Sequence, residues 1–170
     1  AAPISMAVVF PNLVVVHPSV PAESFAEFIK LARENPGKYT YGSSGIGGAG
    51  HLAGELLKMM AGVELVHVPF KGGGPAMQAM LGGQISAYMA TPVAAGPHVK
   101  AGKLRIIALF SDKRMADFPD VATVREQGIE FTMGQWRGLA APRGTPPEVV
   151  KVLHDAFRKG MEDPVFVKNA

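Results

Sequence analysis

The sequence predicts an α/β fold, a mostly parallel, twisted sheet flanked by helices. Three observations carry that prediction. Strand-like runs recur roughly every 20 residues between positions 38 and 110 with helical pieces between them, the signature of right-handed βαβ units. A glycine-rich stretch at 42–50 joins one such run to the helix that follows it. Hydrophobic residues make up 48% of the 170 and charged residues 18%, which is apolar surface enough to repay the entropy of ordering the chain.

Taken in order, residues 4–10 and 13–17 read as strands. Residues 21–35 place Phe25, Phe28, Ile29 and Ala32 at helical spacing, with Ser24 as N-cap and Asn35-Pro36-Gly37 as the stop. Residues 38–43 form a strand, and 51–61 a helix whose Leu52, Leu56 and Met59 share a face. Residues 65–68, 85–89 and 104–110 are the next strands, linked by helices at 75–81 and 92–100. Met59, Met60, Met77 and Met80 read as core filler at helical spacing. Beyond Ser111 the pattern loosens into a short helix at 121–127, strands at 130–133 and 138–141, a helix at 146–159 and an opening helical turn at 164–170. Both ends read as cut rather than finished, and no secretory signal lies within the chain.

Composition excludes several classes. A net charge of +3 without any run of five basic residues is no nucleic-acid footprint, although it suits a binder of small anions. With no cysteine there are no disulfides, no thiolate nucleophile and no cysteine-ligated metal. The apolar stretch at 6–16 is broken by Pro11 and Asn12 and falls short of the ~20 residues of a membrane helix. Of the five histidines, His51 stands four residues before Glu55, but that spacing supplies too few ligands for zinc, and His51 is expected to cap or pack beside the glycine loop. No histidine is paired with a nucleophile in a recognisable arrangement, so no catalytic residue, metal or cofactor is assigned.

Ligands of open parallel sheets bind beyond the carboxyl ends of the strands, and that rule selects the loops at 43–50, 69–74, 90–92 and 111–114. The first offers Ser43, Ser44, Gly45 and Gly47 just before a helix, where main-chain N–H groups and the helix dipole favour a carboxylate or phosphate. Lys71 and Gly72 open a second flexible, cationic loop, and Thr91 brings a hydroxyl to a third strand end, as a ligand neighbour or a helix cap. Gly45, Gly47 and Gly50 also satisfy G-x-G-x-x-G. The acid a dinucleotide site needs near the second strand is replaced by Val68-Pro69-Phe70-Lys71, which leaves an NADP-binding Rossmann-like enzyme domain as the alternative.

Four segments carry a family resemblance: ARENPGKYTYGSSGIGGAGHL from Ala32, HVPFKGGGPAMQAMLGGQI from His67, PHVKAGKLRIIAL from Pro97 and RGLAAPRGTPPEVV from Arg137. In this order and spacing they resemble the substrate-binding proteins of tripartite tricarboxylate transporters, the Bug receptors. The resemblance implies a periplasmic solute receptor of the type II binding-protein fold, in which two α/β lobes close on a carboxylated metabolite and deliver it to a membrane permease. It also implies that the chain is one lobe with crossing strands: residues 1–12 a crossing strand, 13–134 the ligand-binding lobe 2, and 135–170 the return strand with part of lobe 1. Hinges fall near Pro11 and 135–138, and the second lobe is largely absent. In the family the loop after the first lobe-2 strand binds ligand carboxylate, and Ser43, Ser44, Gly45 and Gly47 occupy it here. Many relatives carry an acid at the third strand end where this chain has Ala90 and Thr91, which favours a di- or tricarboxylate or an aromatic acid over a ligand with an amine. A third reading makes the chain an interaction module that self-associates through the face a half receptor exposes.

Overall fold

A computed structural model describes residues 1–169. The chain divides into two units, 11–134 and the pair of segments 1–10 and 135–170.

The larger unit is built on a five-stranded sheet. Its strands are β2 (Leu13–Val16), β3 (Thr40–Ser43), β4 (Val66–Pro69), β5 (Ala87–Ala90) and β6 (Arg105–Leu109), in the spatial order β4-β3-β5-β2-β6. Strand β3 runs parallel to β4 and β5, while β2 lies antiparallel between β5 and β6. The helices α1 (Phe25–Glu34), α2 (Ala49–Ala61), α3 (Gly73–Leu81) and α4 (Pro92–Lys100) cover both faces. The buried Leu-Val-Val-Val of β2 shows why: Val14 and Val16 enter the core shared with α1 and α2, and Leu13 and Val15 the core shared with α3 and α4. The crossover through α2 moves from β3 outward to β4, and that through α3 returns across β3 to β5 on the opposite face, as right-handed connections require.

Local sequence explains most boundaries. Ser24 caps α1 by accepting from the Glu27 N–H at 3.3 Å, and Gly62 ends α2 in the left-handed region. Two expectations fail beyond β6. Residues 121–127 form a string of turns rather than a helix, held by Thr123, whose N–H and hydroxyl both bond the Glu126 residue. Residues 130–133 have no regular structure and join no sheet, although Met133 bonds the main chain of Asn12 and Phe110.

The expected core face of α2 is also corrected. Leu52 and Met59 are exposed, as is Met60, and the helix buries Gly50, Ala53, Gly54, Leu57 and Ala61 instead. Small residues face the sheet because α2 packs close to it: a Cβ on Gly50 would stand 3.0 Å from the Met89 carbonyl oxygen. Gly54 leaves its space to the Tyr41 ring. Met77 and Met80 do lie in the core.

In the smaller unit β1 (Ala2–Pro11) pairs with β7 (Gly134–Ala141). Gly138 admits the Ser5 main chain, whose carbonyl oxygen would lie 2.5 Å from any Cβ there. Two helices follow, α5 (Pro147–Met161) and α6 (Pro164–Asn169); the rest of the turn expected at 164–170, Ala170, lies outside the described residues. No residue of α5 is buried, although Val149, Leu153 and Phe157 line one side of it.

Candidate functional site

The carboxyl ends of β3, β4 and β5 meet at one edge of the larger unit. The connection leaving β3 passes to the α1/α2 face and the one leaving β5 to the α3/α4 face, so the topological switch point lies between these neighbouring strands. Residues 43–50, 69–74 and 90–92 therefore gather at that edge, and none of them is acidic.

Alternation along β3 sends Tyr41 and Ser43 to the same face, and the parallel register sets Tyr41 beside His67. Tyr41 stacks on His67 at 4.8 Å, and His67 on His51 at 4.2 Å. The Ser43 hydroxyl is fully buried beneath this stack. It donates to the Gly45 carbonyl at 3.1 Å, accepts the Gly45 N–H at 3.3 Å, and lies 2.7 Å from His67 Nε2. Two expectations change here. A histidine is paired with a hydroxyl after all, and the Ser43 side chain, expected to face the ligand, is buried against His67. No carboxylate engages the other His67 nitrogen among the described residues, so the pair orders the loop and lacks the arrangement of an activated nucleophile.

Behind the stack, the Tyr41 hydroxyl donates to Glu55 Oε1 at 2.6 Å, and Lys58 donates to both oxygens of that carboxylate at 3.0 Å. Burial, then the Glu55 hydrogen bond and charge, push the Tyr41 phenol well up. The Tyr41 hydrogen bond and Lys58 hold the Glu55 carboxyl below its usual range. Burial, then the nearby His51, lower the His67 imidazole below its ordinary value, so His67 is neutral at physiological pH.

That last shift has a sign. The folded state resists protonating His67 while the unfolded chain does not, so this contribution to stability is complete above about pH 6.5 and is lost as pH falls through the lowered folded value. Thermal midpoints measured from about pH 8 down to about pH 5 are expected to fall more steeply for the native chain than for His67→Gln. Parallel curves would remove His67 from the account.

The exposed part of the loop begins at Ser44. Its carbonyl accepts the Gly72 N–H at 3.1 Å, which ties the first glycine loop to the second. Gly45 and Gly47 have φ of 148° and 77°, a path that side chains resist, and the Gly47 N–H donates to His51 Nδ1 at 3.1 Å. His51 thus fastens the loop it was expected to adjoin. The turn delivers the chain to Gly48, the N-cap of α2, and Gly72 is the N-cap of α3; neither helix has a side-chain cap. By contrast α4 is capped by Thr91, whose hydroxyl accepts the Ala94 N–H at 3.4 Å. Uncapped first turns leave peptide N–H groups and the positive end of the helix dipole for an outside anion, and Lys71 stands exposed beside them. In the fourth loop, the Ser111 hydroxyl donates to the Lys113 carbonyl and Arg114 pairs with Glu126. A separate groove along α2, lined by Leu52, Leu56, Met59 and Met133 together with Glu55 and Lys58, contains no residue of these loops.

A five-stranded sheet with one antiparallel member, its anion-favouring loops at the switch point, defines a solute-binding lobe. Comparison with known proteins agrees. The chain belongs to the tripartite tricarboxylate transporter family receptors, whose family model matches residues 2–170. It is 44% identical over 152 residues to the "UPF0065 protein in gbd 5'region" of Cupriavidus necator, covering 89% of this chain and 46% of that protein. Among solved structures, one described as a periplasmic transporter superposes with TM-score 0.93 at 40% identity, covering 98% of this chain and 56% of the other. R. palustris Rpa4515 with adipate gives 0.92 at 32%, covering 97% and 56%. MatC from Rhodopseudomonas palustris with bound malate gives 0.94 at 29%, covering 99% and 57%. The chain spans about half the length of the curated relatives it matches.

The family is one of receptors and not of enzymes, which sets aside the dinucleotide alternative. The glycine pattern has other uses here: Gly45 and Gly47 shape the turn, and Gly50 admits the Met89 carbonyl.

Proposed function

We propose that this chain is the ligand-binding part of a periplasmic receptor that captures a small di- or tricarboxylate and delivers it to the permease subunits of a tripartite tricarboxylate transporter. The observation that carries this reading is the pair of helices α2 and α3, whose N-termini open without side-chain caps beside loops that contain no acidic residue. The main chain from Ser44 to Gly48, the Ser44 hydroxyl and the Gly72 turn form the rim of the site, with Ser43 and His51 holding the loop from behind. Lys71 adds long-range attraction, and Thr91 borders the site through its role in capping α4. The adipate and malate found with two relatives support a carboxylated ligand. With Ala90 and Thr91 at the third strand end, nothing there calls for a ligand amine.

The segments 1–12 and 135–170 are then the crossing strands and part of the first lobe, a reading supported by the exposed Val149, Val152 and Leu153 of α5. Calorimetric titration of malate, adipate and citrate into the receptor tests the proposal. Saturable binding of at least one acid is expected; no heat from any would overturn it.

A further inference from the structure

Tyr88 stands on β5 with its ring enclosed by the core on the α3 side, and only 4% of the residue is exposed. Its hydroxyl bonds no other group among the described residues, yet it is not sealed in, because the phenol oxygen belongs to the small part that solvent reaches. Open to solvent and bonded to no protein group, the oxygen gives the fold no internal hydrogen bond that phenylalanine would lack. The fold gains nothing from the oxygen, so its use lies in what it meets outside.

The oxygen lies 3.5 Å from the point where a Cβ on Gly73 would stand, against the first turn of α3. That helix has nine residues and follows Gly72, its N-cap, whose φ is 108° and which has no side chain to cap it. The Gly72 N–H is committed to the Ser44 carbonyl, and Pro75 has no N–H. Gly73 and Gly74 supply the donors that remain in the turn. Burial raises the Tyr88 phenol, so the hydroxyl keeps its proton and stays a donor.

We infer that the Tyr88 hydroxyl and the N-terminal turn of α3 form a carboxylate subsite, in which the phenol donates to one oxygen of the bound acid. Absence of a Cβ at Gly73 keeps the phenol in reach of that oxygen. The inference rests on the receptor reading above and adds a buried side-chain donor to a site otherwise made of main chain and the Ser44 hydroxyl.

Two variants test it in the receptor, with malate and adipate as probes. Tyr88→Phe keeps the ring and its packing, so its thermal midpoint is expected to equal or exceed that of the native protein, while affinity for the acid that binds falls about tenfold or more, the usual worth of a hydrogen bond to a charged group. Gly73→Ala adds a methyl at ordinary contact distance from the hydroxyl and is expected to fold normally and weaken the same acid. Native affinity in both variants would overturn the subsite and leave the receptor reading standing. Failure of the native protein to bind either acid, or citrate, would overturn both.

Discussion

Gly48→Asp is expected to abolish acid binding without harming the fold. Gly48 has φ −73° and ψ 164°, an extended conformation that aspartate adopts freely, and a Cβ there meets nothing closer than the Gly45 carbonyl oxygen at 3.5 Å. Aspartate at an N-cap accepts the first-turn N–H groups with its own carboxylate. Those are the groups proposed to hold the ligand, and the tethered carboxylate would both occupy them and repel a second anion. Like charges set against one another cost several kcal/mol, so affinity should drop on the order of a hundredfold or more. The thermal midpoint should stay level or rise slightly, since aspartate exceeds glycine as a cap by only a few tenths of a kcal/mol. Lost stability alongside lost binding would leave the result to misfolding; retained binding would mean that the acid is held elsewhere.

The largest effect on stability is expected from Gly54→Ala. Its Cβ would overlap the ring of Tyr41, with the ring Cζ at 2.6 Å and Cδ2 at 2.7 Å. The ring cannot step aside, because its face stacks on His67 and its hydroxyl is bonded to Glu55. Either α2 lifts from the sheet or the stack breaks. Overpacking of this kind costs about 1–3 kcal/mol, and with backbone and ring both fixed the upper end applies, roughly 6–12 °C in thermal midpoint for a chain of this size. Gly42→Ala is the informative comparison. Its Cβ would meet the terminal methyl of Ile85, which can rotate away, so the loss should be smaller. Equal losses at both positions would show that Tyr41 is not the fixed element described. Because α2 carries the loop at its N-terminus, Gly54→Ala should also weaken binding of the acid.

Much of the sheet is legible in the residues, since alternation and regular spacing depend on local chain properties. The helix 92–100 and the Ser24 cap are legible too, each set by a residue whose backbone preference or hydrogen bond acts within one turn. The buried face of α2 is not legible, because hydrophobic spacing ranks Leu52 and Met59 above Gly50 and Gly54, whereas the close approach of helix and sheet rewards the absence of a side chain. The turns at 121–127 follow from Thr123 and Glu126 bonding each other's main chain, a local alternative to helix that apolar spacing does not reveal.

The candidate site divides in the same way. Ser44, Gly45, Gly47 and Gly72 are visible as a glycine-rich loop after a strand. The inward Ser43 hydroxyl and the stack of His51, His67 and Tyr41 are not, because they depend on the β3/β4 register and on residues 24 positions apart. Tyr88 gives no sequence signal. A tyrosine within a buried strand looks like core, and only the hydroxyl without a partner beside Gly73 distinguishes it.

The central claim is that uncapped main-chain donors at the switch point hold a carboxylate. Calorimetric titration of the receptor with malate and adipate, each run beside its neutral dimethyl ester, tests it most directly. The account predicts saturable one-to-one binding of at least one acid and no measurable binding of its ester, which keeps the carbon skeleton but not the charge. Equal binding of acid and ester, or binding of neither, would contradict it.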